Sequence, residues 1–146
     1  MTHRPASAPI VVLLIEDNAD DVALTVRALE RAKLHNQIHV VKDGYDALAF
    51  VRREGPHATA PTPDLILLDL NLPGRDGREV LAEIKSDHRL RSIPLIVISS
   101  SDSDDDVRRA YQLHANAFVQ KPLDPQRFLA AVGSIEQFWL QVVKLP

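Results

Sequence analysis

Short apolar runs alternate along this chain with longer segments of helical period, and this alternation limits the possible folds more than any other feature. The runs are residues 10–15, 38–41, 65–68, 95–98 and 117–119. Most of them are apolar throughout, as strands buried on both faces of a parallel sheet should be. Between them, apolar side chains recur at helical spacing: Val22, Val26 and Leu29; Val80 and Ile84; Val107 and Tyr111; Phe128, Val132, Ile135 and Trp139. The pattern predicts an α/β fold, a doubly wound five-stranded parallel sheet with helices on both faces.

Length and composition fit one compact domain, because the 146 residues are 45% hydrophobic. We expect a flexible leader at residues 1–9, the domain at residues 10–137 and an apolar C-terminal extension at residues 138–146. The 17 basic and 20 acidic residues leave a net charge of −3, which gives no reason to expect nucleic acid as a partner. Without cysteine, a signal-peptide core or an apolar run of membrane-spanning length, the chain is predicted to be cytoplasmic, with no membrane partner.

Polar side chains stand where the predicted strands end. Glu16 and Asp17 follow the first strand, and Asp69 follows the third. Ser99 closes the fourth strand, and Lys121 follows the fifth. Because parallel strands present their carboxyl ends to one edge of the sheet, we expect these side chains to share a single crevice.

The chemistry of this set predicts a Mg²⁺ site that supports phosphoryl transfer. Clustered carboxylates resist ionising together unless a cation neutralises them, and Mg²⁺ prefers oxygen ligands. The expected ligands are Glu16, Asp17, Asp69 and the backbone carbonyl of Asn71. Phosphoryl transfer needs a nucleophile and positive charge on the phosphoryl oxygens. Asp69 would be the nucleophile, Lys121 would supply charge beside the metal, and Ser99 could hydrogen-bond a phosphoryl oxygen.

Two acidic segments also have structural interpretations. Glu16 and Asp17 alone could serve only the positive end of the helix that follows, but Asp69 and Lys121 favour the metal site. The run at residues 102–106 is predicted to be the N-cap and first turn of the fourth helix rather than a second metal site. The six histidines show no ligand spacing and are assigned to the surface.

The motifs LLIEDN, LILLDLNLPGRDG, IPLIVISS and FVQKP, in this order, resemble the receiver domains of two-component response regulators. The resemblance implies a flavodoxin-like receiver fold with strand order 2-1-3-4-5 and a sensor histidine kinase as partner. It also implies a cis peptide before Pro122. The implied site roles are an acidic pair at Glu16 and Asp17, a phosphoacceptor at Asp69, a switch hydroxyl at Ser99, a rotating aromatic at Phe118 and the site lysine at Lys121.

Two other classes of protein remain as alternatives. A phosphatase of the haloacid-dehalogenase type would carry its nucleophilic aspartate after the first strand, with a second aspartate two residues later. Here an acidic pair follows the first strand, and Asn71 stands two residues after Asp69. A pseudo-receiver that binds without phosphorylation is disfavoured because every group of the acceptor site is present.

The C-terminal segment SIEQFWLQVVKLP, with LHAN before the fifth strand, resembles single-domain regulators paired with phytochrome histidine kinases. We expect no room for an output domain, so the output would be protein contact. Apolar residues continue past the expected end of the last helix, and contiguous apolar surface commonly marks an interface. The sequence therefore predicts a homodimer through the fifth-helix face and the tail, involving Phe128, Val132, Phe138, Trp139, Leu140 and Val143.

Overall fold

The computed structural model describes residues 9–31, 36–100 and 103–133. Five parallel strands form one sheet in the order β2-β1-β3-β4-β5, which confirms the predicted doubly wound fold and its strand order 2-1-3-4-5. The elements are β1 Ile10–Ile15, α1 Ala19–Arg31, β2 Asn36–Val41, α2 Gly44–Arg52, β3 Leu65–Leu68, α3 Gly77–Ser86, β4 Leu95–Ser99, α4 Asp104–Gln112, β5 Ala117–Gln120 and α5 Pro125–Gly133. A 3₁₀ turn, Gly55–His57, follows α2.

The apolar residues of each strand alternate between two cores. Leu13 and Ile15 of β1 face one side of the sheet, where they pack with residues of α2, α3 and α4. Val12 and Leu14 face the other side, where they pack with residues of α1 and α5. Full burial of a leucine or isoleucine side chain contributes about 1.5–3 kcal/mol, so the central strands are held from both faces.

The strand register sets the position of the residues that follow each strand. Ile15 of β1 pairs with Leu68 of β3, so Glu16 and Asp69 leave the sheet side by side. Ser99 of β4 pairs with Gln120 of β5, the residue before Lys121. The four polar residues therefore meet at one edge, as the strand-end argument predicts.

Residues 103–106 of the acidic run form the N-cap and first turn of α4, as the sequence predicts. The Ser103 hydroxyl accepts a hydrogen bond from the backbone N–H of Asp106 at 3.1 Å and caps α4. Asp43 caps α2 in the same way, and Gly44 is the first residue of that helix. Capping carboxylates and hydroxyls satisfy N–H groups that have no partner within the helix.

Three sequence predictions are corrected by the observed burial. Tyr111 is 49% exposed, because α4 buries the smaller Ala110 in its place. His39 and His57 are half-buried rather than on the surface; each ring packs against Phe50. Phe128 has no exposed surface and belongs to the core of its own domain, so it cannot contribute to a dimer interface.

The rest of the predicted dimer interface lies outside the described part of the chain. Residues 134–146 are not described, and these include Phe138, Trp139, Leu140 and Val143. Val132 lies in α5, but its side chain is also outside the description. The proposed boundaries at residues 9 and 137 therefore stay predictions. Within the described ranges, no helix has the length and apolar character to span a membrane.

Candidate functional site

Asp69 is held at the carboxyl end of β3 by close backbone packing. Asp69 is 5% exposed, and its backbone N–H donates to the carbonyl of Ile15 at 3.0 Å. The loop that follows turns at Gly74, whose φ of +76° lies in the left-handed region that favours glycine. Gly77 then brings the start of α3 against this strand end, where an added Cβ would lie 2.5 Å from the carbonyl oxygen of Asp69. The loop geometry thus fixes the direction of Asp69.

Three carboxylates converge at this edge of the sheet. Glu16, Asp17 and Asp69 each offer an oxygen, and these oxygens all lie within 4.8 Å of one another. Glu16 and Asp69 are buried, whereas Asp17 is exposed. Asn71 lies in the adjoining loop, and its backbone N–H donates to Asp69 Oδ1 at 3.2 Å. A compact set of hard oxygen donors with one open side fits a divalent cation such as Mg²⁺.

Lys121 supplies the positive charge that faces this cluster. Its backbone N–H donates to the carbonyl of Ser99 at 2.8 Å, and its peptide bond to Pro122 is cis, as predicted. The ammonium Nζ lies 2.5 Å from Glu16 Oε1 and 3.4 Å from Asp69 Oδ2. The structure therefore brings together the three carboxylates, the end of β4 at Ser99 and Lys121, as the sequence predicts.

Asp21 is a further member of the site that the sequence reasoning missed. Its Oδ2 accepts a hydrogen bond from Lys121 Nζ at 2.8 Å, across a separation of 100 residues. Asp21 lies in the first turn of α1, a helix that begins at Ala19, two residues after Asp17. An acidic first turn close to the acidic pair was the available sequence signal.

The charges of the cluster shift the pKa of two groups. The pKa of Glu16 is raised to about 7: burial is the largest cause, the neighbouring Asp69 also raises it, and Lys121 lowers it. Burial lowers the pKa of Lys121, but hydrogen bonds to Asp21 and Glu16 outweigh that effect and hold it above its usual range. The pocket thus favours a bound cation, because buried carboxylates are costly unless they are paired.

Ser99 and Phe118 lie on neighbouring strands between the acceptor edge and the α4 face. Ser99 is fully buried at the end of β4. Phe118 of β5 is half-buried and packs against the core that also contains Ala110 of α4. The register pairs Phe118 with Val97, two residues before Ser99. The register therefore places Phe118 on the strand next to Ser99, against the core that contains Ala110 of α4.

Comparison with known proteins identifies a matching family model and a similar relative. A family model described as "Response regulator receiver domain" matches residues 12–133. Response regulator Rcp1 of Synechocystis sp. is 41% identical over 141 residues, which cover 97% of this chain and 96% of the relative.

Two solved structures have a similar fold and sequence. The crystal structure of the Mn²⁺-bound form of Rcp1 has a TM-score of 0.76 at 42% identity and covers 94% of this chain and 99% of that one. The crystal structure of the phosphorylated cyanobacterial phytochrome response regulator RcpA has a TM-score of 0.77 at 45% identity, and the match covers 95% of this chain and 99% of that one.

Proposed function

Because the chain belongs to the response regulator receiver family, we propose that it takes a phosphoryl group from a sensor histidine kinase onto Asp69. The observation that carries this proposal is the buried Asp69 carboxylate, which adjoins two further carboxylates and lies 3.4 Å from a lysine ammonium. A nucleophile surrounded by groups that can neutralise phosphoryl oxygens is the arrangement that phosphoryl transfer requires.

Each residue has a defined part in the transfer. An Asp69 oxygen forms the new bond to phosphorus, the bond from phosphorus to the kinase histidine breaks, and its electron pair returns to the imidazole. Lys121 neutralises a phosphoryl oxygen, and the Ser99 hydroxyl donates to another. Mg²⁺ bound by Glu16, Asp17, Asp69 and the Asn71 carbonyl would supply further positive charge to the phosphoryl group.

Membership of the receiver family supports a stoichiometric acceptor rather than a turnover enzyme. The chain would catalyse only its own phosphorylation and dephosphorylation, and it would signal through a change in shape and contact with another protein. The similarity to RcpA, which is described as a phytochrome response regulator, supports a phytochrome as the cognate kinase.

A small-molecule phosphodonor tests the proposal without the kinase. The full chain is incubated with acetyl phosphate and Mg²⁺, and the acyl phosphate is counted by intact-protein mass spectrometry. We expect one phosphoryl group per chain, lost completely in Asp69→Asn and retained in Asp105→Asn, which changes an exposed aspartate of α4.

Three results would contradict the proposal. Full labelling of Asp69→Asn would move the acceptor to another residue. Sustained release of phosphate over many turnovers would favour the phosphatase class. No labelling of the unsubstituted chain, with or without Mg²⁺, would favour a pseudo-receiver.

A further inference from the structure

The Lys121 ammonium has three carboxylate neighbours, but only one of them lies outside the acidic cluster. Nζ is within 3.4 Å of oxygens of Glu16, Asp21 and Asp69. Among the described residues, the cluster whose oxygens lie within 4.8 Å of one another contains Glu16 and Asp69 but not Asp21. Asp21 is therefore the neighbour that a bound cation would leave free to pair with Lys121.

We propose that Asp21 is a positioning residue that holds the Lys121 ammonium beside the acceptor when a divalent cation occupies the carboxylate cluster. The inference rests on the proposed function, because it takes Asp69 as acceptor and Lys121 as the group that meets the phosphoryl oxygen. It adds a role for a residue of α1 that touches neither the cation nor the phosphoryl group.

The backbone of α1 holds Asp21 in a fixed position. The Asn18 side-chain oxygen accepts from the backbone N–H of Asp21 at 3.0 Å, and the Asn18 carbonyl accepts from Val22 N–H at 2.9 Å. Farther along the same helix, Ala28 and Leu29 are buried against the sheet. The carboxylate thus projects from a capped turn of an anchored helix, and a rigid element positions a partner better than a loop does.

The charges in the pocket explain why the Lys121 ammonium needs Asp21. A cation ligated by Glu16 and Asp69 would neutralise their negative charge and would repel the nearby ammonium. Lys121 is only 12% exposed at its side chain, so little water is available to compensate. Asp21 retains its charge and its 2.8 Å hydrogen bond to Nζ, which keeps the ammonium at the mouth of the pocket.

A neighbouring aspartate provides a matched control. Asp20 lies in the same first turn of α1 and carries the same charge, and its residue is exposed. Asp20→Asn and Asp21→Asn therefore remove equal charge from the same helix turn, but only Asp21→Asn removes an ion pair with Lys121. Asp21→Glu restores the carboxylate on a longer arm.

The test measures the rate constant of labelling by acetyl phosphate at saturating Mn²⁺, together with the Mn²⁺ dissociation constant without donor. We expect Asp21→Asn to slow labelling by about tenfold, because the ammonium is no longer aligned with the phosphoryl oxygens. Asp20→Asn should label at the rate of the unsubstituted chain, and Asp21→Glu should recover part of the loss. Both asparagine variants should change the Mn²⁺ dissociation constant by a similar small factor, about threefold or less.

A double-mutant cycle shows whether Asp21 acts through Lys121. In a Lys121→Ala chain, Asp21→Asn should slow labelling no further, since the group that it positions has been removed. A loss that persists in this background would overturn the positioning role, as would equal labelling rates for Asp20→Asn and Asp21→Asn. A Mn²⁺ affinity that collapses only in Asp21→Asn would make Asp21 a metal ligand instead.

The same experiment separates this inference from the proposed function. Asp69-dependent labelling of the unsubstituted chain supports the proposed function whatever Asp21 does. Absence of that labelling would overturn the proposed function and, with it, the role of Asp21.

Discussion

Ser99 has no exposed surface at the end of β4, so a change in its hydroxyl position must be accommodated by its neighbours. We expect the hydroxyl to move toward a phosphoryl oxygen on Asp69 and to open space that lets Phe118 turn inward. Ser99→Ala should then accept the phosphoryl group but fail to shift the face formed by α4, β5 and α5. Amide chemical shifts of that face, before and after phosphorylation, measure the response.

Ser100→Ala is the control for this prediction, because Ser100 is the exposed neighbour of Ser99. It should respond as the unsubstituted chain does. If phosphorylated Ser99→Ala gave the same shifts as the phosphorylated unsubstituted chain, the hydroxyl would not carry the coupling.

Glu16 should make metal binding depend on pH. Its pKa is raised to about 7, first by burial, so in the metal-free protein a proton competes with the cation below that pH. Metal affinity should rise with pH up to about tenfold per unit below pH 7 and level off above it. Calorimetric titration with Mg²⁺ across this range measures the effect, and Glu16→Gln should abolish most of the dependence. An affinity that stays constant from pH 5.5 to 7.5 would show that Glu16 is already ionised.

The same shift has a defined sign for stability. The pKa of Glu16 is higher in the folded state than its ordinary value of 4.5, so the folded chain binds more protons than the unfolded chain between pH 4.5 and 7. Its contribution to the free energy of unfolding therefore falls as pH rises through that window in metal-free protein. Bound cation should remove this loss, because it replaces the proton as the neutralising group.

At the scale of secondary-structure elements, Lys85 ties the end of α3 to the starts of β4 and β5. Its ammonium donates to the carbonyls of Arg91 and Ile93 at 3.1 and 2.9 Å and to Asn116 Oδ1 at 2.9 Å. Asn116 Oδ1 also accepts from the backbone N–H of Leu95 at 2.8 Å. One lysine and one amide thus join three elements at the edge opposite the acceptor.

We predict that Lys85→Met lowers the free energy of unfolding by about 1–3 kcal/mol, since it leaves hydrogen-bond acceptors without their donor. Urea unfolding measures the change, and Lys42→Met, at an exposed lysine, should change stability by less than about 0.5 kcal/mol. Labelling of Asp69 should persist in both variants. Equal stabilities of the two variants would show that the contacts of Lys85 contribute nothing net.

The elements also show which parts of the structure the sequence could predict. The runs that form β1, β3 and β4 are apolar because both faces are buried, so their pattern is unambiguous. The edge strand β2 starts at Asn36, two residues before the predicted start. Among the described residues no strand pairs with its outer side, so that side tolerates polar residues. Tyr111 was predicted on the buried face of α4 but is exposed, because helical spacing alone cannot tell which face a short helix buries.

The candidate site also contains residues that the sequence could place and one that it could not. Residues that end strands could be placed from the sequence, because the direction of parallel strands brings their carboxyl ends to one edge. Asp21 could not be placed in this way, because its contact with Lys121 depends on how α1 is rotated against the sheet. That rotation is set by packing and not by the local sequence.

At the scale of the whole molecule, we predict a homodimer in the absence of phosphorylation. Phe128 is excluded from the interface because it is buried in its own core, but Leu129 beside it on α5 is 37% exposed. The sequence adds five apolar residues to this candidate surface: Val132, Phe138, Trp139, Leu140 and Val143. The side chain of Val132 and the whole of the other four lie outside the described part of the chain. An isologous contact of two such surfaces would bury them from water.

Sedimentation of the full chain beside a chain that ends at Gln137 tests the dimer. At micromolar concentration and without phosphodonor, the full chain should sediment as a dimer. The dimer dissociation constant of the shortened chain should be at least about tenfold higher, because that chain loses the aromatic and aliphatic contacts of residues 138–146.

Leu129→Arg should weaken the full-length dimer if α5 takes part, while Leu24→Arg, at an exposed leucine of α1, should leave it intact. Two monomers of the full chain and the shortened chain would end the proposal, because the apolar tail would then pack on its own domain. A dimer that resists the truncation but dissociates in Leu129→Arg would place the contact on α5 alone.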